Sequence, residues 1–290
     1  MKTAKVAVIG GDRRMFFCAE ALYDKNIEPA LYGFEKISDR ANSTRCASLS
    51  DCLYECSAVI LPLPVSRDGE NITSSSEKHI SLDRVFSGVP AETPVFAGLV
   101  SEGVKKLASE YGHEIFDYYE NEAFISKNAY ATAEGAVYLA MKHSDVTLWG
   151  SQCLVTGYGR IAVFAARLLS AFGASVTVCA RNPAARAQAQ LDRYNVTDFE
   201  RLAHSIRGYD FIFNTVPSQV FGEELLSRMS STQIFIELAS APFGADKRLA
   251  KEHNIEIIDG AALPSKYCPR SAGAYIAEEI CTELERMGII

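Results

Sequence analysis

The apolar run Cys153-Leu154-Val155-Thr156 passes directly into Gly157-Tyr158-Gly159-Arg160-Ile161-Ala162, a G-x-G-x-x-A spacing, and a helical pattern starts at once. A glycine-rich turn alone is a weak signal. Between a strand and a helix it is the fingerprint of a dinucleotide-binding turn. Gly157 permits the tight turn, Gly159 lets the backbone approach a pyrophosphate, and the small Ala162 lets helix and strand pack closely. Tyr158, Arg160 and Ile161 complete the loop and open a helix whose unpaired N–H groups and partial positive charge suit phosphates.

A second strand, Ala174–Cys179, ends in Ala180-Arg181-Asn182-Pro183, where NAD-selective sites usually carry an acidic residue for the ribose 2′-hydroxyl. An arginine cannot accept from that hydroxyl but can clamp a 2′-phosphate. Arg181 and Asn182, with Arg186 one helical turn on, therefore predict NADP as cofactor, with NAD possible. Tyr209–Pro217 reads as a further strand closing on Asn214-Thr215-Val216, and strand ends of this kind line the ligand crevice of an open α/β sheet. These three residues are expected on the nicotinamide side. Gln233–Ser240 and Ile255–Gly260 read as the last strands.

Elements of the same kind must position a second half. Val6–Ile9, Glu28–Phe34, Ala58–Leu63, Pro94–Ala97 and Glu114–Phe116 read as strands, with helices at Arg14–Lys25 and Ser101–Tyr111. The alternation predicts an α/β protein with two Rossmann-like parallel-sheet domains separated by a cleft. The boundaries expected are 1–128 for an N-terminal substrate or catalytic domain and 129–270 for the dinucleotide domain, with a connecting helix over 128–143. The remaining 271–290 is expected as a C-terminal helix crossing back to the first domain. Gly10-Gly11-Asp12-Arg13-Arg14 follows the first strand without the G-x-G-x-x-G spacing. Two readings stand: anion binding at a helix start aided by Arg13 or Arg14, or Asp12 as a helix cap beside two solvated arginines. The polar stretch Ser66–Lys78 reads as a solvated loop after a strand.

The 290 residues are 48% apolar and 22% charged, with a net charge of −7, which speaks against nucleic acid or an anionic membrane as partner. No stretch approaches the roughly 18 apolar residues of a membrane span, and the lead-in Met1–Lys5 is too short for a signal peptide's apolar region. A cytoplasmic protein is expected. Eight cysteines form no C-x-x-C pair, and Cys46, Cys52 and Cys56 have no histidine nearby, so no metal site is predicted.

The chain resembles the nucleotide-binding, A-type subunit family of dipicolinate synthase along nearly its whole length. The carriers are Ala7-Val8-Ile9-Gly10-Gly11-Asp12-Arg13, Thr132-Ala133-Glu134-Gly135-Ala136, Val155-Thr156-Gly157-Tyr158-Gly159-Arg160 and Leu263-Pro264-Ser265-Lys266-Tyr267-Cys268-Pro269-Arg270-Ser271-Ala272-Gly273. The resemblance implies a pyridine-nucleotide-dependent oxidation giving dipicolinate from a lysine-pathway precursor, in the mother-cell cytoplasm during sporulation. It also implies a partner, the flavoprotein-like B-type subunit of the synthase; a homo-oligomer is left open. The fold is similar to that of D-2-hydroxyacid dehydrogenases, but their arginine and histidine are missing. The matching regions read Glu237-Leu238-Ala239-Ser240-Ala241-Pro242 and Cys268-Pro269-Arg270.

A dihydropyridine dicarboxylate would need cationic or N–H partners. Arg13, Lys266 and Arg270 are the candidates, with Gly11, Asp12 and the N–H groups after Gly10 and Gly11, and Thr132 from the connecting helix. Glu134 is the candidate general base if burial raises its pKa; the competing role is a structural hydrogen bond. His79, Tyr267 and Cys268 are further alternatives. A nucleotide-binding scaffold without its own catalysis, and a 2-hydroxyacid or shikimate-type NADP-dependent dehydrogenase, stand as the other readings.

Overall fold

The computed structural model describes residues 4–37, 42–77 and 79–290; Met1–Thr3, and Lys78 at the end of the polar loop, lie outside it. The chain divides into two compact units, one formed by the residues up to Asn128 together with Pro264–Ile290, the other by Ala129–Leu263.

The first unit runs β1 (Lys5–Ile9), α1 (Arg13–Tyr23), β2 (Glu28–Tyr32), β3 (Thr44–Arg45), α2 (Leu49–Leu53), β4 (Ala58–Ile60), α3 (Leu82–Gly88), β5 (Val95–Ala97), α4 (Glu102–Glu110) and β6 (Ile115–Asp117). Helix α5 (Glu122–Lys142) leads the chain into the second unit. That unit continues with β7 (Gln152–Thr156), α6 (Arg160–Ala171), β8 (Ser175–Cys179), α7 (Pro183–Leu191), β9 (Asn195–Thr197) and α8 (Phe199–Ser205). It closes with β10 (Phe211–Asn214), α9 (Glu223–Leu226), β11 (Ile234–Glu237), α10 (Lys247–Glu252) and β12 (Ile257–Asp259). Helices α11 (Leu263–Tyr267) and α12 (Pro269–Arg286) end the chain.

Each unit holds a six-stranded parallel sheet, ordered β3-β2-β1-β4-β5-β6 in the first and β12-β11-β10-β7-β8-β9 in the second. Both follow the doubly wound order, reversing direction between β1 and β4 and between β7 and β10. Strands covered on both faces read as continuous apolar runs, which is why Val6–Ile9 and Cys153–Val155, all buried, were legible as strands. Helix α6 buries Ala162, Ala165, Ala166 and Leu169, a single stripe at helical spacing.

The C-terminal helix does return to the first unit. Helix α12 buries Ala272, Gly273, Ile276, Ala277, Ile280, Cys281 and Leu284, and several join the core cluster of Met15, Phe16, Cys18, Ala19 and Leu22 on α1. Gly273 sets the spacing. A Cβ there would overlap the Arg14 carbonyl oxygen and lie 2.6 Å from the Cys18 backbone nitrogen, so the two helix backbones touch.

Some boundaries moved. The connecting helix starts at Glu122, six residues before the expected 128, because the Asn121 side chain accepts from the N–H groups of Ala123 and Phe124 and caps it. Helix α12 starts at Pro269 rather than at 271, with proline at the first helical position where its missing N–H costs nothing. The short edge strands β3 and β9 had no apolar run to announce them. No described helix is long and apolar enough to cross a membrane.

Candidate functional site

At the reversal point of the second sheet, β7 enters a turn at Gly157 with φ +83°, a left-handed conformation that favours glycine. A Cβ on Gly157 would stand 2.7 Å from Thr215 Oγ1 and 3.3 Å from Val216 Cγ2, so the turn packs against the chain leaving β10. Gly159 differs. It caps α6 without a side-chain hydrogen bond, is exposed, and a Cβ there would meet nothing within 4 Å. An open approach above the start of a twelve-residue helix is the geometry that a pyrophosphate requires. The residues present fit a dinucleotide, with Gly157, Tyr158, Gly159, Arg160 and Ile161 forming the loop that would hold it.

Beneath this turn lies a buried polar row that the sequence had hidden. Strand register places Thr156 beside Asn214, and Asn214 beside Glu237, at the ends of β7, β10 and β11. Thr156 and Asn214 have no exposed surface and Glu237 is 3% exposed. Thr156 Oγ1 donates to Asn214 Oδ1 at 2.5 Å, and Asn214 Nδ2 donates to Glu237 Oε1 at 2.6 Å and to the Val216 carbonyl at 3.1 Å. Glu237 Oε1 also accepts from Ala239 N–H at 3.0 Å, and Oε2 from Gly244 N–H at 2.8 Å. One carboxylate therefore fixes the loops after both β10 and β11. Gly244 must be glycine, since a Cβ there would overlap the Asn214 amide.

This corrects the expectation for Asn214. Its amide is wholly engaged inside the protein, and it positions the loop rather than touching a cofactor. Thr215 and Val216 are half-buried at the strand end, but the Thr215 hydroxyl donates to Thr156 O at 2.7 Å and the Val216 N–H to Asn214 Oδ1. The Tyr158 phenol donates to Asp192 Oδ2 at 2.5 Å; burial and that carboxylate raise its pKa. Tyr158 thus offers the turn its backbone and not its hydroxyl. Asn182 caps α7 by accepting from Ala184 N–H, and Arg186 Nη1 donates to the carbonyls of Ala180 and Arg181. Arg181 is exposed, with one long contact of 3.4 Å to Ser218 Oγ.

The corresponding turn of the first unit is closed. Gly10 N–H donates to Tyr32 O and Gly11 N–H to Thr73 O, both at 2.8 Å, while Ser75 N–H returns a bond to Gly11 O at 2.9 Å. A Cβ on Gly10 would stand 2.7 Å from Ile72 Cγ2. The stretch after β4, expected as a solvated loop, folds down over the turn and takes the place a dinucleotide would need. The N–H group of Gly11 is therefore not available to an anion, contrary to expectation.

Asp12 caps α1 by accepting from Arg14 N–H, and its carboxylate is paired with the Arg14 guanidinium through Nε at 3.0 Å and Nη2 at 2.8 Å. Burial alone would raise the Asp12 pKa, but the hydrogen bonds and charge of Arg14, helped by Ser265, bring it below the ordinary value. Arg14 is buried and also donates to Leu63 O at 2.6 Å. The capping reading holds for Asp12, then, but with one arginine buried against it. Arg13 is exposed, with its guanidinium over the Phe17 ring.

Beside this pair the first unit has a cavity of about 480 Å³ lined by Gly11, Asp12, Arg67, Asp68, Asn71, Ile72, Thr73, Ser74, Ser75 and His79. The sequence pointed to Gly11, Asp12 and His79 among these. Arg67 was missed, because a lone arginine in a polar stretch carries no pattern. Lys266 and Arg270 are exposed on α11 and at the start of α12 and do not line the cavity; nor do Tyr267 and Cys268. The segment carrying them is helical, and it reaches Asp12 through Ser265.

Glu134, expected to be buried on the connecting helix, is exposed on α5. Thr132 is buried at 8% exposure within the second unit and is not part of the first unit's cavity. The small residues around Glu134 have another cause. A Cβ on Gly135 would lie 2.7 Å from Leu263 Cβ, so the close approach is that of a core leucine. Burial likewise raises the thiols of Cys18 and Cys52, and those of Cys153 and Cys179 to about 12, which leaves them as packing groups.

Comparison with known proteins follows this division. Residues 5–119 match the N-terminal domain of the A-type subunit of dipicolinate synthase, and residues 124–264 the NAD binding domain of D-isomer specific 2-hydroxyacid dehydrogenases. The A-type dipicolinate synthase subunit of Bacillus subtilis is 28% identical over 279 residues, covering 94% of this chain and 93% of that one. A crystal structure of the same subunit from Bacillus halodurans superimposes with a TM-score of 0.84 at 26% identity, covering 98% of this chain and 99% of that one. A transhydrogenase from Sinorhizobium meliloti shares the fold alone, with a TM-score of 0.69 at 14% identity over 97% of this chain and 94% of that one. The NAD binding domain and the open Gly159 turn together give the second unit a nicotinamide dinucleotide as cofactor and the chain a dehydrogenase-type role. In both of its parts, by sequence and by fold, the chain is similar to the A-type subunit of dipicolinate synthase, and the resemblance carried by its four motifs stands.

Proposed function

We propose that the chain is the nucleotide-binding subunit of a dipicolinate synthase, oxidising a dihydropyridine dicarboxylate to dipicolinate with NADP, in the mother-cell cytoplasm of a sporulating cell. The observation that carries this reading is the pair of turns. One is open and fits a dinucleotide; the other is sealed by its own chain and borders a separate cavity. Such a division of labour suits a two-substrate oxidoreductase. NADP is favoured over NAD by the exposed Arg181 just after β8, in a turn that reads Ala180-Arg181-Asn182-Pro183 without an acid.

When bound, the nicotinamide supplies hydride acceptance; gain of aromaticity drives the rest. The chain's own task is to orient the ring and take one proton from it. We assign that proton to His79, which lines the cavity. The row Thr156–Asn214–Glu237 keeps the loops after β10 and β11 rigid, so that the dinucleotide meets a fixed surface. The two Bacillus relatives are each named as one subunit of a synthase, which supports a partner for this chain.

Absorbance at the NADPH band tests the reading, with chain, NADP and freshly generated lysine-pathway precursor mixed with and without the second subunit. NADPH formation by the chain alone is expected. A signal only with the partner would assign this chain a scaffold role, and silence in both, despite NADP binding, would refute the reaction.

A further inference from the structure

The polar groups around the first unit's cavity divide into those already engaged and those left over. Asp12 is held by Arg14. Asp68 Oδ1 accepts from Ser66 Oγ and from the N–H groups of Glu70 and Asn71, and its Oδ2 from Asn71 Nδ2. Those donors, the Asn71 side chain foremost, hold the Asp68 carboxyl far below the usual carboxylate range. The hydroxyl of Ser74 donates to Gly33 O and that of Ser75 to Gly11 O.

What remains is Arg67 and His79. Both are exposed, and neither side chain forms a hydrogen bond or ion pair with a described residue. An unengaged guanidinium and an imidazole thus share one concave surface on which both carboxylates are already committed. The cavity's volume lies in the range of roughly 300–1,000 Å³ typical of small-molecule sites.

We propose that this cavity is a carboxylate-binding site whose anchoring cation is Arg67, and that in this chain it takes a pyridine dicarboxylate. The guanidinium fork matches a carboxylate with two parallel N–H···O bonds, which a lysine cannot reproduce. Its anchor is therefore neither Arg13 nor the late-segment Lys266 and Arg270, but an arginine next to Asp68, whose turn holds the loop in shape. The identity of the ligand rests on the function proposed above; the assignment of Arg67 rests on the cavity alone.

Calorimetric titration of the whole chain, without cofactor, separates the two. The probes are dipicolinate, picolinate (one carboxylate fewer) and malate as a non-aromatic dicarboxylate, tested on wild type, Arg67→Gln and Arg67→Lys. NADPH fluorescence titration of each variant checks that the second unit is intact. Dipicolinate is expected to bind wild type at least tenfold more tightly than Arg67→Gln, with Arg67→Lys recovering only part. NADPH affinity stays unchanged throughout. Picolinate should bind more weakly than dipicolinate in wild type, and the gap should narrow in Arg67→Gln. Equal dipicolinate affinity in wild type and Arg67→Gln overturns the role of Arg67 and leaves the proposed function standing. Arg67-dependent binding of malate without binding of dipicolinate refutes the pyridine ligand and keeps the carboxylate site. Binding of none of the three overturns the site.

Discussion

Two turns occupy the same place in two sheets of the same strand order, yet one is open and the other closed. After β7, Gly157 takes the strained position and Gly159 is left facing empty space. After β1, Gly10 and Gly11 both take positive φ values, and the stretch after β4 lies over them, with Thr73 O and Ser75 N–H bonded to Gly11. Topology puts a crevice at the reversal point of each sheet. What fills that crevice is decided by the length and chemistry of the following connection. In the second unit β10 ends on Asn214, whose amide is held by Glu237 and bonds the Val216 carbonyl. In the first, a long connection with its own Asp68 turn folds back and becomes the wall of a cavity.

The strongest way to break this contrast is at the buried row. Glu237→Ala removes the acceptor of three N–H donors, those of Asn214 Nδ2, Ala239 and Gly244. A loss of about 3–5 kcal/mol is expected in denaturant unfolding, because breaking one side of a buried charged network leaves the other uncompensated. Loss within about 0.5 kcal/mol would show that the row is not what holds the loops. Glu237→Gln should cost less, since it keeps the volume and one acceptor.

The second comparison sets the two glycines against each other. Gly11→Ala forces a side chain into a residue at φ +98° whose Cβ would overlap Met15 and lie 3.2 Å from Pro62 Cβ, so about 3 kcal/mol of stability should be lost. Gly159→Ala meets no neighbour and should leave stability within about 0.5 kcal/mol. Its effect belongs to binding: NADPH affinity, followed by fluorescence, should fall at least tenfold, or about 1.4 kcal/mol. If Gly159→Ala binds as wild type, the open turn is not the pyrophosphate site.

Arg181→Gln sharpens the cofactor side. NADP affinity should drop about tenfold while NAD affinity stays level, consistent with loss of one guanidinium–phosphate pair; parallel losses for both cofactors would remove the basis for preferring NADP. The smallest effect concerns the sealed turn. The Asp12 pKa is lowered in the folded protein, so its contribution to stability is fully present above the unfolded carboxylate value near 3.8 and is lost as pH falls through the folded value. Asp12→Asn should therefore flatten the acid limb of stability against pH below about pH 4. An unchanged acid limb would mean that the pairing with Arg14 contributes nothing.

Much of the architecture was legible because parallel strands buried on both faces are apolar runs, and because G-x-G-x-x-A between a strand and a helix has few other uses. The candidate site was legible only where a residue's role is local. Gly157 and Gly159 could be read from their neighbours, and Asp12 from its place before a helix. Glu134 could not, since whether a helical carboxylate is buried depends on what packs against that face; here Leu263 packs on Gly135 while Glu134 is exposed. Arg67 was invisible for the opposite reason, as its surroundings are assembled from Gly11, Thr73 and His79.

By itself, then, the sequence determined two parallel-sheet α/β halves, the dinucleotide turn and a C-terminal helix, because each follows from short-range spacing and hydrophobic periodicity. Tertiary structure alone decided that Thr156, Asn214 and Glu237 form one row, since strand register aligns residues 58 and 23 positions apart. It also decided that one turn is sealed and the other open. Hydrogen bonds across that separation depend on which strands pair and where the connections fall, and neither is encoded in any single stretch of chain.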